Sequence, residues 1–284
     1  MINLNEFYWK LDELAHRFPP YNIVVKYRIH CSLLYVLFVY PMCAGQIKDF
    51  KTAAPFMAFV LWHFALYVYN RYTDRGEDAL NSVVEAMDDF HGKIALFLTG
   101  ISLIGGLGLL VYGGYSVIYY LLSLPCVFLY GQPLLGGKLR IKSITFVKNI
   151  YAVLFCWALP FVLTSVTYAG SLDVLRQSPP WGGIVAMFFG IMAYEMVWDL
   201  RDVEGDRQSG VMTVPVRFGE DVCKLFIAVL LLGAYILNVL PVSLILFIGF
   251  FTIIIREKCA PIVTHVMMMS QMLLLNMSTI KSLL

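Results

Sequence analysis

Apolar stretches of bilayer-crossing length, separated by short polar segments, run through this chain from residue 24 almost to its end. A membrane-spanning helix needs about 20 mainly apolar residues, and the backbone inside a bilayer must satisfy its own hydrogen bonds. The pattern excludes an ordinary water-soluble fold. Of the 284 residues, 60% are hydrophobic and 14% charged, whereas a soluble domain carries roughly 25% charge. The net charge of +2 is too balanced for a nucleic-acid surface, so no nucleic-acid partner is expected. The six cysteines stand singly, without a C-x-x-C pair, and read as small apolar fillers.

Cutting the apolar runs where charges, prolines and glycines interrupt them predicts nine spans, at 24–45, 53–70, 92–112, 115–131, 145–168, 181–198, 222–239, 241–256 and 261–280. Ahead of them, Leu4, Phe7, Tyr8, Leu11 and Leu14 share one helical face. Residues 1–20 are therefore expected to form an amphipathic segment on the membrane surface. The expected fold is an all-α integral membrane protein of about nine transmembrane helices, a single domain over 1–284.

Basic residues set the orientation, because loops rich in Lys and Arg stay in the cytoplasm. Taking alternate loops, all but four of the 21 basic residues fall on one side: Lys10, Arg17, Lys26 and Arg28, then Arg71, Arg75 and Lys93, then Lys138, Arg140, Lys142 and Lys148, then Arg201, Arg207, Arg217 and Lys224, then Arg256 and Lys258. Lys48, Lys51, Arg176 and Lys281 fall on the other. The N-terminus is expected in the cytoplasm and the C-terminus outside.

Two of the cytoplasmic loops are acidic. In the first, Asn70, Asp74 and Asp78 are spaced four residues apart; in the second, Asp199, Asp202 and Asp206 fall at i, i+3 and i+7. Either spacing puts the side chains on one helical face, where like charges destabilise a helix unless a cation lies between them. Mg²⁺ takes one or two carboxylates together with phosphate oxygens and retained water. Acidic helix ends at the mouth of an apolar bundle therefore suit a diphosphate held through Mg²⁺, its lipid tail between the helices. The plainer alternative is a pair of charged, solvated loops. Setting Asp74 on Asp202 brings Asp78 onto Asp206, which suggests two similar four-helix halves plus a ninth helix around a central cavity.

These residues resemble the hallmark segments of the UbiA superfamily of intramembrane prenyltransferases, N-D-x-x-D-x-x-x-D after the second helix and D-x-x-D-x-x-x-D after the sixth. Asn81 stands where that family often has the Asn of D-x-x-N, and Gly210, Thr213, Pro215 and Gly219 match its G-x-x-T-x-P-x-x-x-G run. Arg71 departs from the pattern, standing where many members carry Asp. It is expected to contact a phosphate or an acidic acceptor.

The resemblance implies a Mg²⁺-dependent transferase that moves a polyprenyl group from its diphosphate to a lipophilic or aromatic acceptor. Asn70, Asp74, Asp78, Asp199, Asp202 and Asp206 would hold two Mg²⁺ ions that neutralise the leaving diphosphate. Lys142 is the favoured phosphate ligand of its loop, with Arg75 and Arg207, inside the motifs, as further candidates. Tyr130 and Tyr194 offer aromatic faces to an allylic cation, although Tyr is also common at membrane interfaces. Glu195, inside an apolar run one turn before Asp199, is a candidate for the acceptor side. His63 and His265 read as hydrogen-bonded structural residues. Two other readings compete: a terpene cyclase of the same superfamily, and a membrane transporter whose acidic helix ends bind substrate ions.

Overall fold

The computed structural model describes residues 4–81, 86–132, 140–177, 181–255, 259–267 and 270, and among them there is no β-strand. Lys138, Arg256, Lys258, Lys281 and most of the ninth expected span lie outside the described residues. Residues Leu4–His16 form helix α1. It leaves Phe7, Leu11 and Leu14 exposed, packs Tyr8 and Trp9 against the core, and turns Asp12 and His16 inward.

The first expected span is broken. Helices α2 (Pro19–Lys26) and α3 (Ile29–Cys43) meet at a 72° bend, because Arg28 adopts the left-handed region with φ 52°. For a residue with a side chain that conformation costs roughly 1–2 kcal/mol. It carries the Arg28 guanidinium to within 5.7 Å of the Trp198 ring centre.

Helix α4 (Ala54–Thr73) lies at the centre of the bundle and packs most extensively on α6 (Asp89–Gly113). Small residues allow the approach: Gly106 of α6 sits over the Ala58 carbonyl, and Ala58, Ala65 and Ala95 are fully buried. Helix α5 (Arg75–Asn81) continues α4 after a break at Asp74. Helix α6 starts at an Asp88 cap that accepts the His91 N–H at 2.8 Å, and it ends at Gly114 with φ 77°. Helix α7 (Ile118–Leu129) follows. Helices α8 (Val147–Tyr151) and α9 (Leu159–Ala169) form one crossing joined by a π-helical stretch, Ala152–Ala158.

After the four-residue α10 (Val174–Gln177), helix α11 (Trp181–Arg201) leads through Asp202 into α12 (Val203–Ser209). Gly210, at φ 76°, closes α12, and the Val211 N–H returns to the Asp206 carbonyl at 2.8 Å. Only a residue tolerant of the left-handed region makes that reversal cheaply. Helices α13 (Val214–Phe218), α14 (Glu220–Ile236) and α15 (Val242–Ile254) follow, and residues 261–267 are helical again.

Nine crossings are not confirmed by the described residues. Three helices are long and apolar enough to cross a membrane, Asp89–Gly113, Val147–Ala169 and Trp181–Arg201, and the bent α2–α3 pair would make a fourth. Helices α7 and α15, with 12 and 13 residues, reach about 20 Å at 1.5 Å per residue, short of a hydrocarbon core of about 30 Å. Helix α4 has 20 residues but is diluted by the buried His63, Asn70 and Arg71.

The two acidic helix ends make the same backbone turn. Asp74 has φ −94°, ψ 4°, and Asp202 has φ −94°, ψ 10°. Their amides donate to the carbonyls four residues back, Asn70 at 2.9 Å and Trp198 at 3.2 Å. Helices α5 and α12 then cross, and Asn81 Oδ1 accepts the Gly205 N–H at 3.0 Å. A Cβ on Gly205 would fall on the Asn81 side chain. Gly205→Ala is expected to force the two acidic helices apart at a cost of about 1–3 kcal/mol. Thermal melts should show the loss, and Asn81→Ala in the same chain should recover part of it.

Candidate active site

The two helix ends and the segment 140–148 enclose a cleft of about 910 Å³, its open mouth included. Its first wall comes from α4 and α5. Thr73 Oγ1 donates to the Asn70 carbonyl at 2.9 Å and to Asp74 Oδ1 at 3.2 Å, which fixes the turn bearing Asp74. Lys142, 3% exposed, reaches down from its loop and pairs with both Asp74 and Glu77. Arg140 also donates to Glu77, at 2.5 Å. On the far side of the helix Arg71 Nη1 lies 2.5 Å from Asp78 Oδ1, and Arg28 Nη2 lies 4.0 Å from the same oxygen.

The second wall comes from α11 and α12. Asp199 accepts from Lys148 Nζ at 2.5 Å and from Asn149 Nδ2 at 2.9 Å, and Asp206 lies 3.8 Å from the same lysine. Burial pushes the Asp206 carboxyl up to about 7, against the opposing pull of Lys148. Arg201 grips Asp202 through two nitrogens, at 2.6 and 2.9 Å, and Thr264 Oγ1 at 3.1 Å, with its guanidinium 4.5 Å above the Trp198 ring.

The loop that supplies both lysines is held in place by the segment after α12. Thr145 Oγ1 donates to the Met212 carbonyl at 2.6 Å, and the Met212 N–H reaches Ser143 at 3.4 Å. The G-x-x-T-x-P run therefore closes α12, leads into α13 and anchors the lysine loop.

Below the charged mouth the lining turns apolar and aromatic. Trp157 Nε1 donates to Tyr67 Oη at 2.8 Å, and Tyr130 stacks on Tyr151 with ring centres 5.4 Å apart. Tyr130, Tyr194, Glu195, Trp198, Cys31 and Cys156 line this inner part. His63 stacks on Tyr35 at 4.3 Å, and His265 meets the Tyr21 hydroxyl at 2.9 Å; neither lines the cleft.

Of the residues singled out from sequence, Asn70, Asp74, Asp78, Tyr130, Lys142, Tyr194, Glu195, Asp199, Asp202 and Asp206 come together around this cleft. Three do not. Arg71, 1% exposed, lies behind Asp78 and outside the lining, so the expected direct contact with a ligand is not what its side chain is placed to make. Arg75 turns to Asp89 at 3.1 Å and covers the Tyr72 ring. Arg207 is exposed and pairs with Glu204 at 3.3 Å. The reason is angular: both follow a motif aspartate by one position, about 100° around the helix from it.

Sequence reasoning passed over Arg28, Glu77 and the pairing of Lys148. Glu77 had a signal, since it lies one turn after Asp74 and so shares that face. Arg28 had none, because a left-handed break is not written in hydropathy.

Among the described residues, no three His, Cys, Asp or Glu side chains converge as an all-protein metal centre would. The donors nevertheless fit Mg²⁺ completed by a phosphate. They are hard oxygens, and three that belong to cleft-lining residues, Asn70 Oδ1, Asp78 Oδ2 and Asp206 Oδ2, are buried without a hydrogen-bond partner.

The profile of the UbiA prenyltransferase family matches residues 32–260, a stretch that contains both walls. The chain belongs to that family. It is accordingly a membrane protein with several apolar helices. No curated protein sequence matches it. Among solved structures, a UbiA homolog from Aeropyrum pernix K1 aligns with a TM-score of 0.60 at 14% identity, over 90% of this chain and 98% of that one. A UbiA homolog from Archaeoglobus fulgidus bound to DMAPP and Mg²⁺ aligns with a TM-score of 0.56 at 16% identity, over 91% and 98%. The Archaeoglobus fulgidus homolog bound to GPP and Mg²⁺ gives 0.54 at 18%, over 92% and 99%. At these identities the likeness is one of fold, and the UbiA fold is what this chain shares with them.

Proposed function

We propose that this UbiA-family protein is a Mg²⁺-dependent intramembrane prenyltransferase, which moves a prenyl group from its diphosphate to a lipophilic or aromatic acceptor and releases diphosphate. The carrying observation is the division of one cleft into a charged mouth and an aromatic interior. A prenyl diphosphate has the same division. The ligands of the Archaeoglobus fulgidus homolog, DMAPP and GPP with Mg²⁺, support this donor class.

In this reading Lys142 and Arg28 bind diphosphate oxygens directly, and the motif carboxylates would hold Mg²⁺ against the rest. Bound Mg²⁺ would supply Lewis-acid neutralisation of the leaving diphosphate. Tyr67, Tyr130, Trp157 and Tyr194 line the path of the allylic carbon; their faces stabilise positive charge there and exclude water that would quench it. Glu195, one turn below Asp199, is the group placed to take the proton that the acceptor gives up when the new bond forms. The mouth opens to the cytoplasm, with the N-terminus inside and the C-terminus outside, by the distribution of basic residues.

The test is diphosphate release from prenyl diphosphates of several chain lengths, with and without candidate acceptors. A transferase releases diphosphate in step with prenylated acceptor, and a cyclase releases it without any. A transporter never consumes the prenyl diphosphate, and that outcome would discard the reading.

A further inference from the structure

The repeat at the two acidic helix ends is broken in one informative place. The register that sets Asp74 on Asp202 and Asp78 on Asp206 sets Arg71 on Asp199. Both are 1% exposed, and they act in opposite senses. Asp199 accepts from Lys148 and Asn149, whereas Arg71 Nη1 pairs ionically with Asp78 Oδ1 at 2.5 Å.

The substitution divides the charge unevenly between the walls. On the first, Arg28, Arg71, Arg140 and Lys142 face Asp74, Glu77 and Asp78. On the second, Lys148 and Arg201 face Asp199, Asp202 and Asp206, with Glu195 one turn below. A divalent cation settles where carboxylates outnumber the cations already present. The second wall also holds Asp206 Oδ2, buried without a hydrogen-bond partner; on the first wall Asn70 Oδ1 and Asp78 Oδ2 are in the same state, but Asp78 is already neutralised by Arg71 at its other oxygen.

We infer that this chain seats one divalent cation, on the second motif, and that the buried Arg71–Asp78 pair stands in for a second. The first wall then meets the diphosphate with its own side chains, Lys142 and Arg28. This rests on the diphosphate reading above, and it departs from the two-ion arrangement that the family resemblance implies. A second ion seated beside Asp78 would face Arg71 and Lys142 within a buried cluster, where like charges repel strongly for want of screening water.

Counting bound Mn²⁺ tests it. The full chain in detergent is saturated with geranyl thiolodiphosphate, which resists ionisation, and bound Mn²⁺ is counted by electron paramagnetic resonance. One ion per chain is expected, and two in Arg71→Asp, which restores the repeat. Arg71→Gln, removing the cation without adding an anion, is the milder variant and should also admit the second ion. Two ions in the unaltered chain overturn the inference, whatever the variants do. A count that stays at one in a variant whose circular dichroism matches the unaltered chain also overturns it. Failure to bind the thiolodiphosphate at any Mn²⁺ concentration overturns the diphosphate reading itself, and it is told apart from a wrong count because the analogue is measured separately.

Discussion

Asp202→Asn is expected to lower kcat/KM for a prenyl diphosphate by about 10³-fold, the scale seen when one charge-stabilising group at a reacting centre is removed. Asp202 lines the cleft and is gripped by Arg201 through two nitrogens, at 2.6 and 2.9 Å, with Thr264 and Trp198 fixing the arginine in turn. Its carboxylate is therefore oriented before any ligand arrives. The asparagine keeps the shape and loses the charge, so the fold should survive while the response of the rate to Mg²⁺ flattens. Steady-state kinetics across a Mg²⁺ titration check this. A variant with an unchanged Mg²⁺ response would remove Asp202 from the chemistry.

Lys148→Met should instead act first on stability. Its ammonium is shared by Asp199, 1% exposed, and Asp206, and it is only partly open to solvent. Removing one partner of a buried pair leaves the other charge uncompensated, at about 3–5 kcal/mol. Melting in detergent without divalent ions should fall by something on the order of 10 °C. Because the charge left behind is the kind a divalent cation neutralises, Mg²⁺ with inorganic diphosphate should recover more of the melting temperature in the variant than in the unaltered chain. Equal recovery in both would mean that Lys148 and the ion do not share these carboxylates.

Much of the site is legible in the residues alone, for identifiable reasons. Carboxylates at helical spacing beside an apolar run locate themselves, since spacing fixes which side chains share a face. Asp74 and Asp78, and Asp199, Asp202 and Asp206, stand out in that way, and so does the register between the halves. What spacing does not fix is where a long side chain turns once it leaves that face. Arg75 and Arg207 lie within the motifs and yet pair with Asp89 and Glu204 away from the cleft. Arg71 conceals itself for the opposite reason: its pairing with Asp78 depends on the depth of burial, which a linear motif does not carry. The count of nine spans is left unconfirmed on a similar point. Hydropathy reports how apolar a stretch is, but a left-handed Arg28 breaks one run into two helices, and polar atoms buried inside α4 lower its apolar signal although it sits at the centre of the bundle.

Both lysines that neutralise the acidic walls come from a single short segment, Lys142 for the first half and Lys148 for the second. The two acidic helix ends thus share a backbone turn but are not independent of each other. Severed between residues 132 and 140, the N-terminal portion would keep Asp74, Glu77 and Asp78 without Lys142 or Arg140. The same two portions are tied again by Asn81 to Gly205 and by Trp157 to Tyr67, so the cleft is one unit and not a pair of separable modules.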